Sequence, residues 1–264
     1  MLIDTHCHLD AHTYGDEAGV VDAIRRARAA GVRWLIHIAS GYAPEVYQRA
    51  AALAAEQPNL WYVAGVHPHD ASRWGPEVAD ALREAVADPR LVALGEMGLD
   101  FHYDMSPRDL QRQAFREQIR LALALRKPIV IHDRSSEGET LDILDDEGAF
   151  AVPVLYHCFT GDRAAMEAIT ARGGYVSIPG IVTFKNAEPM REVARTAPAD
   201  RLLVETDSPY LTPIPHRGKR NEPAYVRFVA EKVAELRGVS VDALAQQVAV
   251  NAGRFFGIEL VADG

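Results

Sequence analysis

The chain has 264 residues, 48% of them hydrophobic and 25% charged, which is the composition of a globular protein with a substantial core. Its 28 basic and 37 acidic side chains give a formal net charge of −9, and this excludes a protein that coats nucleic acid through a broad basic surface. The two cysteines, Cys7 and Cys158, are too few to indicate a disulfide framework.

Short apolar runs alternate with longer amphipathic stretches along the chain. The eight short runs predict strands at residues 2–6, 33–39, 61–67, 91–96, 128–133, 152–158, 174–178 and 201–207. Helices are predicted from Asp16 to Gly31, from the capping pair Ser106-Pro107 onward, and from Asp162 to Gly173-Gly174. Two last helices are predicted over about 222–237 and 240–249, the second capped by Ser240.

Strands that alternate with helices predict parallel βαβ units, and eight such units favour an α/β fold with one closed (β/α)8 TIM barrel over residues 1–264. No Gly-rich phosphate loop follows any strand, which counts against a nucleotide-binding Rossmann or P-loop fold. The N-terminus lacks the pattern of a signal peptide, and no run approaches the roughly 18 apolar residues of a membrane span. We therefore expect a cytoplasmic protein with no membrane contact and no obligate protein partner.

Residue types that bind metal ions stand at the ends of most predicted strands. They are His6 and His8, His67, Glu96, His132, His157 and Asp207. Because the C-terminal ends of parallel barrel strands open onto one face, residues far apart in sequence are expected to meet there. A single histidine at a strand end is more often a hydrogen-bonded structural residue. That explanation does not account for histidine or a carboxylate at five or more of the eight strand ends on one face.

The pair His6 and His8 is separated by one residue, so on an extended backbone both rings point to the same side and can chelate one ion. Cys7 then faces the opposite side and is interpreted as a packing residue. Six ligands (His6, His8, Glu96, His132, His157 and Asp207) exceed one tetrahedral site. They favour two divalent ions, Mg, Mn or Zn, bridged by the Glu96 carboxylate, with a single ion and additional supporting groups as the alternative.

Eight segments resemble the TatD family of metal-dependent hydrolases and deoxyribonucleases, in the order of that family and over nearly the whole chain. They are DTHCHLD (4–10), GVHPHD (65–70), GEMGLDFHYD (95–104), PIVIHDR (128–134), HCFTGD (157–162), ETDSPYLTP (205–213), RGKRNEP (217–223) and NAGRFFG (251–257). The resemblance implies a barrel with a two-ion site, and metal-dependent nuclease activity that in several members is a 3′→5′ exonuclease on DNA.

The resemblance also implies how the ligands divide between the two ions. One ion would be held by His6, His8, Glu96 and Asp207, and the second by Glu96, His132 and His157. Two positions depart from the family pattern: the run after His132 carries the extra carboxylate of Asp133 before Arg134, and Phe101 replaces a common tyrosine. Neither departure touches a predicted ligand, but both bear on substrate preference.

The predicted reaction uses a metal-activated water as the nucleophile on phosphorus. Glu96 and Asp207 are the predicted catalytic carboxylates, with Asp207 also the candidate proton acceptor, and Glu205 is a candidate to orient an imidazole. Substrate contacts are predicted for His67, His69, Arg134, Arg217 and Arg220, the arginines because a guanidinium grips phosphate through two bonds. The candidates for base stacking, if they are not simply packing residues, are Phe101, Tyr103, Phe159 and Tyr210.

Single-stranded DNA or a DNA 3′ end is therefore the expected substrate. One alternative is hydrolysis of an amide, lactone or nucleobase, since related barrels with a His-x-His pair act on such small molecules. Many of those enzymes use a modified lysine on strand 4 as the bridge, whereas this chain has Glu96 there, which favours phosphoester hydrolysis. The other alternative is a metal-binding protein without catalysis, which gives no reason for arginines at the open face.

Overall fold

The computed structural model describes residues 1–260, and its strands confirm the predicted (β/α)8 barrel. The eight strands of these residues form one sheet in chain order. They are β1 Leu2–Cys7, β2 Val32–Ser40, β3 Leu60–Gly65, β4 Leu91–Asp100, β5 Ile129–Arg134, β6 Val154–Tyr156, β7 Tyr175–Ile178 and β8 Leu202–Val204. In β1, β4, β7 and β8 every residue is buried, as expected for parallel strands that are covered on both faces.

Ten α-helices are formed by the described part of the chain. They are α1 Ala11–Tyr14, α2 Glu17–Ala29, α3 Pro44–Glu56, α4 Pro76–Ala85, α5 Arg108–Leu125, α6 Glu139–Asp146, α7 Arg163–Ala171, α8 Glu188–Thr196, α9 Val226–Arg237 and α10 Val241–Phe256. Short 3-10 segments lie at Pro68–Arg73, Ala149–Ala151, Gly180–Thr183, Ala199–Arg201 and Pro223–Tyr225. Among residues 1–260, no helix has both the length and the apolar character that crossing a bilayer requires.

The predicted helix starts are confirmed at three caps and wrong at one. Asp16, Asp162 and Ser240 each accept a hydrogen bond from a backbone N–H three residues later, at 2.8, 2.9 and 3.1 Å. Ser106 does not cap α5, because its hydroxyl oxygen accepts the Ser72 N–H at 3.2 Å while its hydrogen is donated to the His69 carbonyl at 2.7 Å. Helix α10 also runs beyond the predicted residue 249, since the side chain of Asn251 bonds the carbonyls of two other segments from within the helix.

The described residues fall into two compact units. The first unit holds Met1–His37, His157–Ala171 and the chain from Tyr175 onward, and the second holds Ile38–Tyr156 and Arg172–Gly174. In the first unit β1 pairs with β2 and β7 pairs with β8, all in parallel. In the second unit β3, β4, β5 and β6 pair in succession, also in parallel. That residues 1–264 form a single domain stays a prediction.

The first unit contains the seam between the first and last strands. An isolated parallel bridge joins Cys7 to Ser208, and the backbone N–H of His8 donates to the Ser208 carbonyl at 2.8 Å. The N–H of Asp207 donates to the His6 carbonyl at 3.0 Å. These bonds fix the end of β1 against the chain that follows β8, which brings residues 200 positions apart in sequence into contact.

Candidate metal centre

In the first unit, two of the predicted histidines face one predicted carboxylate. His6 and His8, at the end of β1, place Nε2 at 3.8 and 3.6 Å from Oδ1 of Asp207. Their rings meet edge to face with centroids 5.3 Å apart, so both point to the same side, as the His-x-His spacing predicts. Cys7 between them is buried and directs its thiol to the Ile36 carbonyl at 3.4 Å, which agrees with a packing role.

His157 joins the same group from the chain that follows β6. Its ring stacks on that of His6, with centroids 3.7 Å apart and planes within 9°. Its Nδ1 lies 3.4 Å from Oε1 of Glu205, and that oxygen also accepts the backbone N–H of Cys158 at 2.6 Å. Glu205 therefore lies beside the His157 ring, and its orienting role stays a prediction. We call His6, His8, His157, Glu205 and Asp207 the first cluster.

A buried carboxylate that the sequence interpretation missed lies behind the first cluster. Asp4 accepts the backbone N–H groups of Thr206 and His6, at 2.9 and 3.3 Å, and the Thr206 hydroxyl at 2.6 Å. These bonds tie β1 to the segment that carries Glu205 and Asp207. Asp4 precedes His6 by two residues, as His6 precedes His8, and this alternation was the signal available in the sequence.

Asp4 and Asp207, two buried aspartates of this unit, differ in protonation. Burial raises the pKa of Asp4 to about 8, since its hydrogen bonds from neutral groups do not offset the loss of water. Burial also raises the pKa of Asp207, but the imidazoles of His8, His157 and His6 outweigh it and lower the pKa below its usual value. Asp207 is therefore the carboxylate of the pair that is ionised at neutral pH.

In the second unit, Glu96 and His132 are in direct contact. Oε1 of Glu96 lies 2.8 Å from Nδ1 of His132 and 3.4 Å from Nε2 of His67. The Nε2 of His67 is also 3.3 Å from His132 Nδ1. The predicted metal ligands Glu96 and His132 and the predicted substrate contact His67 therefore lie in direct contact with one another. Glu96 is only 3% exposed.

Asp100 belongs to this group and was missed, because the predicted strand ended at Glu96 whereas β4 continues to Asp100. Its Oδ2 lies 2.8 Å from Nε2 of His69 and 3.1 Å from Nε2 of His132. The other oxygen accepts backbone N–H groups, and the residue has no exposed surface. We call His67, His69, Glu96, Asp100 and His132 the second cluster.

Two glycines of β4 let the strands of the second unit approach closely enough to form this cluster. Gly95, at φ +143°, and Gly98, at φ +147°, adopt a backbone conformation that L side chains avoid. A Cβ on Gly98 would come within 1.9 Å of the His132 carbonyl oxygen, and one on Gly95 within 2.4 Å of that of Val130. The β4–β5 register shifts between Leu94 and Met97, the part of β4 that contains Gly95 and Glu96.

The ionisable groups of the second cluster are strongly shifted. Burial lowers the pKa of His67 to about 4, so this imidazole is neutral at pH 7. Burial raises the pKa of Asp100, but hydrogen bonds from His132, the Tyr103 N–H and His69 outweigh it and hold the pKa well below its usual range. Asp100 is therefore an ionised carboxylate in a buried position, stabilised by four hydrogen-bond donors.

The spacing of the donor atoms fits divalent metal ions. Two ligand atoms each about 2.1 Å from one tetrahedral ion lie roughly 3.4 Å apart. The three imidazole–carboxylate distances in the first cluster are 3.4, 3.6 and 3.8 Å, close to this spacing and too long for good hydrogen bonds. Within each unit one set of three ligand atoms lies inside 4.8 Å: His6, His157 and Glu205 in the first, and His67, Glu96 and His132 in the second.

The predicted phosphate-binding arginines are exposed, and each lies over an aromatic ring. Arg134 is 4.7 Å from the centroid of Tyr103, Arg217 is 4.0 Å from that of Phe184, and Arg220 is 5.0 Å from that of Tyr14. Among residues 1–260 none of the three pairs with a carboxylate, whereas five helix arginines of the second unit, at 83, 108, 112, 116 and 120, each do. Stacking holds the guanidinium planes in place without neutralising them.

The two departures from the family pattern do not enter either cluster. Asp133 turns away from His132 and accepts the Thr140 hydroxyl at 3.1 Å. Phe101 lies beneath the guanidinium groups of Arg108 and Arg112, at 4.4 and 5.2 Å, so it packs rather than offering a free face. Of the other candidate stacking rings, Phe159 is buried, while Tyr103 and Tyr210 are 53% and 61% exposed.

Comparison with known proteins identifies the family that this chain resembles. The family model for TatD-related DNases matches residues 3–257. An uncharacterised metal-dependent hydrolase of Bacillus subtilis (strain 168), YabD, is 42% identical over 258 residues, which cover 98% of this chain and 100% of that protein. The 3′-5′ ssDNA/RNA exonuclease TatD of Escherichia fergusonii is 38% identical and covers 90% of this chain and 92% of that protein.

A solved structure supports the barrel independently of the sequence relatives. YJJV, a TatD homologue from Escherichia coli K12, superposes on this chain with a TM-score of 0.88 at 27% identity, over 98% of both chains. The likeness therefore extends over nearly the whole chain.

Proposed function

The chain belongs to the family of TatD-related DNases, which are metal-dependent hydrolases, and from that premise we propose that it hydrolyses phosphodiester bonds in DNA. The proposed reaction is a 3′→5′ exonuclease cleavage of single-stranded DNA or DNA 3′ ends. Support for the substrate comes from the relative named 3′-5′ ssDNA/RNA exonuclease, at 38% identity. The observation that carries the metal dependence is the set of imidazole and carboxylate atoms spaced for ions in each unit.

We carry the six predicted ligands forward as part of this proposal. The first unit supplies His6, His8, His157 and Asp207, and the second supplies Glu96 and His132. Glu96 is the proposed bridge between two ions. Mixed imidazole and carboxylate donors suit Zn and Mn and also accept Mg, and the supply of ions in the cell then selects among them.

The protein's own residues prepare a water molecule for attack on phosphorus. Divalent ions, when bound, would lower the pKa of a coordinated water and neutralise charge on the phosphoryl oxygens. Asp207 is ionised, so it can accept the proton that the attacking water loses. Oε1 of Glu205 lies 3.4 Å from Nδ1 of His157, and in this proposal the carboxylate orients the imidazole from the side away from the substrate.

Phosphate binding falls to Arg134, Arg217 and Arg220. Each guanidinium lies over a ring and has no carboxylate partner in the described part of the chain, so its charge is available to an anion. A net charge of −9 gives the protein little affinity for nucleic acid elsewhere, which restricts binding to these local positions. His69, whose side chain is 27% exposed, remains a proposed substrate contact, as does His67.

The test uses 5′-labelled single-stranded DNA with Mg²⁺, Mn²⁺, Zn²⁺ or a chelator. Four proteins are compared: wild type, His132→Ala, Asp207→Ala and the control His12→Ala, whose exposed histidine lies on α1 outside both clusters. We expect metal-dependent, stepwise shortening of the labelled strand by wild type and the control, and a cleavage rate at least about 100-fold lower in the two cluster variants. A phosphorothioate at the 3′-terminal linkage should block degradation if cleavage proceeds from the 3′ end.

The alternatives give different results in the same experiment. If no protein degrades DNA or RNA while wild type cleaves amides or lactones, the phosphodiesterase proposal is wrong. Bound metal without turnover of either substrate class would indicate a non-catalytic metal-binding protein. Activity that survives in both cluster variants would come from a contaminating nuclease and would also contradict the proposal.

A further inference from the structure

Asp100 is completely buried, and both of its oxygens are fully occupied. Oδ1 accepts the backbone N–H groups of His102 and Tyr103 at 3.0 and 2.9 Å. Oδ2 faces two imidazoles, with His69 Nε2 at 2.8 Å and His132 Nε2 at 3.1 Å. The backbone on either side is clamped as well, since Gln111 bonds both the N–H and the carbonyl of Asp100. The carboxylate therefore has one fixed orientation.

A carboxylate in this position can only accept hydrogen bonds, so each imidazole nitrogen that faces it must carry a hydrogen. We propose that Asp100 is a positioning residue that fixes His132 with its hydrogen on Nε2 and thereby presents Nδ1 toward Glu96 as the metal-binding nitrogen. This inference rests on the proposed metal-dependent function, but the bonding it describes belongs to the protein alone. The same argument places the hydrogen of His69 on Nε2.

His67 has the opposite role to His132. Its Nδ1 accepts the backbone N–H of His69 at 3.1 Å, so in the neutral ring Nε2 carries the hydrogen. That Nε2 lies 3.4 Å from Glu96 Oε1 and 3.3 Å from His132 Nδ1, and in this assignment its N–H donates to the carboxylate. His67 therefore orients Glu96 and does not bind an ion, although its Nε2 lies among the three close ligand atoms of this unit.

These two assignments leave a specific place for a cation. With its hydrogen on Nε2, His132 directs a lone pair from Nδ1 at Glu96 Oε1, which is 2.8 Å away and is itself an acceptor. Two acceptors at this distance repel each other unless a proton or a metal ion lies with them. The bonding to Asp100 thus makes the Nδ1 of His132 a site that favours a cation over an empty state.

The first test reads the imidazoles of the wild-type protein directly. Two-dimensional ¹H–¹⁵N spectra of the histidine side chains are recorded after chelation and again with Zn²⁺, which is diamagnetic. We expect protonated Nε2 on His132 and His69 in both states, and loss of any proton on Nδ1 of His132 when Zn²⁺ binds. A His132 ring with its hydrogen on Nδ1 and a bare Nε2 would overturn the proposal without any variant.

The second test replaces one carboxylate oxygen of Asp100 with an NH₂ group. In Asp100→Asn the amide oxygen must remain with the two backbone N–H donors, so the NH₂ group faces His69 and His132 and requires Nε2 of both to accept. The hydrogen of His132 then moves to Nδ1 and blocks the metal-binding lone pair. We expect Mn²⁺ affinity, measured by calorimetry, to fall about 10- to 100-fold, the usual effect of losing a group that orients a ligand.

The control for this exchange is Asp88→Asn. Asp88 also accepts a side-chain hydroxyl and a backbone N–H, from Tyr62 and Arg90, but it contacts no histidine. The Mn²⁺ affinity of Asp88→Asn should match that of wild type. If both variants lose affinity equally, the loss in Asp100→Asn comes from general destabilisation and the positioning role is wrong. A third variant, His67→Gln, should keep the wild-type number of bound Mn²⁺ ions; a lower number would show that His67 is a ligand after all.

The outcomes separate this inference from the proposed function. If the spectra and affinities follow expectation but no DNA is degraded, the positioning role of Asp100 stands and the nuclease proposal fails. If wild type is a metal-dependent nuclease but Asp100→Asn binds Mn²⁺ as wild type does, the nuclease proposal stands and the positioning role is wrong.

Discussion

The first and second clusters contain the same kinds of residue but are held in different ways. In the first cluster the imidazole–carboxylate distances are 3.4 to 3.8 Å, and the rings are kept in place by stacking and by the β1–β8 seam. In the second cluster the closest imidazole–carboxylate distances are 2.8 Å, in a continuous hydrogen-bonded network. One cluster is therefore positioned by backbone and packing, and the other by side-chain hydrogen bonds.

This difference also decides the protonation of two buried aspartates. Asp4 and Asp100 are both without exposed surface, yet the pKa of Asp4 is raised to about 8 and that of Asp100 is held well below its usual range. Burial acts on both in the same direction. The imidazoles around Asp100 reverse its effect, while the backbone and hydroxyl donors around Asp4 do not. Burial alone therefore does not predict which carboxylates in such a site are charged.

The largest expected effect comes from Asp207→Asn in the first cluster. The change keeps size and suits the backbone, because asparagine tolerates the positive φ of 52° at this position. It removes the charge that would bind metal and accept a proton, so we expect kcat on single-stranded DNA to fall about 10²- to 10⁴-fold. Since packing and the β1–β8 seam hold this cluster, the melting temperature in the presence of chelator should stay near that of wild type.

The melting temperature and the cleavage rate of Asp207→Asn together test the contrast between the two clusters. If Asp207→Asn melts many degrees below wild type, then the carboxylate itself holds the first cluster, and the contrast with the second is wrong. The exposed histidine variant His12→Ala provides the baseline for both measurements. A rate within about tenfold of wild type would remove Asp207 from the proposed reaction.

The next effect is structural and concerns the second cluster. In Gly98→Ala the new Cβ would lie 1.9 Å from the His132 carbonyl oxygen, so β4 and β5 must separate where Gly98 pairs with His132. We expect a loss of about 3 kcal/mol or more in the free energy of unfolding, together with loss of the contact between His132 and Glu96. Denaturant unfolding with chelator measures the first, and Mn²⁺ binding the second.

The control for Gly98→Ala is Gly148→Ala in the same unit. Gly148 also has a positive φ, of 64°, but an added Cβ there meets nothing within 4 Å. It should cost only the backbone strain, about 1 kcal/mol. Equal destabilisation by the two substitutions would mean that the close approach of β4 and β5 contributes nothing.

The sequence predicted the barrel because the order of strands and helices follows from position along the chain, whereas His157, expected to share an ion with Glu96 and His132, lies in the first unit and stacks on His6. Parallel strands place their ends on one face, so His6 and Asp207 could be paired without knowing any contact. The network of the second cluster could not be predicted in this way. Glu96, Asp100 and His132 are joined by hydrogen bonds that depend on the exact approach of two strands, 36 residues apart for Glu96 and His132.

The errors in the predicted elements have the same origin. The run LVALGE predicts a strand that ends at Glu96. The structure extends β4 to Asp100 because Gly98 is where another backbone must pass. Ser106 likewise has the pattern of a helix cap, but its hydroxyl donates to the His69 carbonyl. No local sequence pattern reveals that this carbonyl lies nearby. Tertiary contacts overrode the local signal in both places.

The smallest expected effect uses a buried histidine of the first unit that belongs to neither cluster. His37 is 4% exposed, and its Nδ1 accepts the Leu9 N–H at 3.1 Å. Burial lowers the pKa of His37 to about 4 against an ordinary value of 6.5, although the charge of Asp10 opposes this. Between these two pH values the unfolded chain binds a proton that the folded protein does not, so folding stability falls as the pH is lowered from 6.5 toward 4.

Replacing His37 with glutamine removes this proton and keeps an acceptor for the Leu9 N–H. We expect the slope of unfolding free energy against pH, between about 4 and 6.5, to decrease by up to about 1.4 kcal/mol per pH unit. A residual slope should remain, since the pKa of His67 in the second unit is also about 4. Urea unfolding in chelator across this range measures both slopes. An unchanged slope in His37→Gln would place the acid sensitivity in the second unit, with its hydrogen-bonded network, rather than in both units.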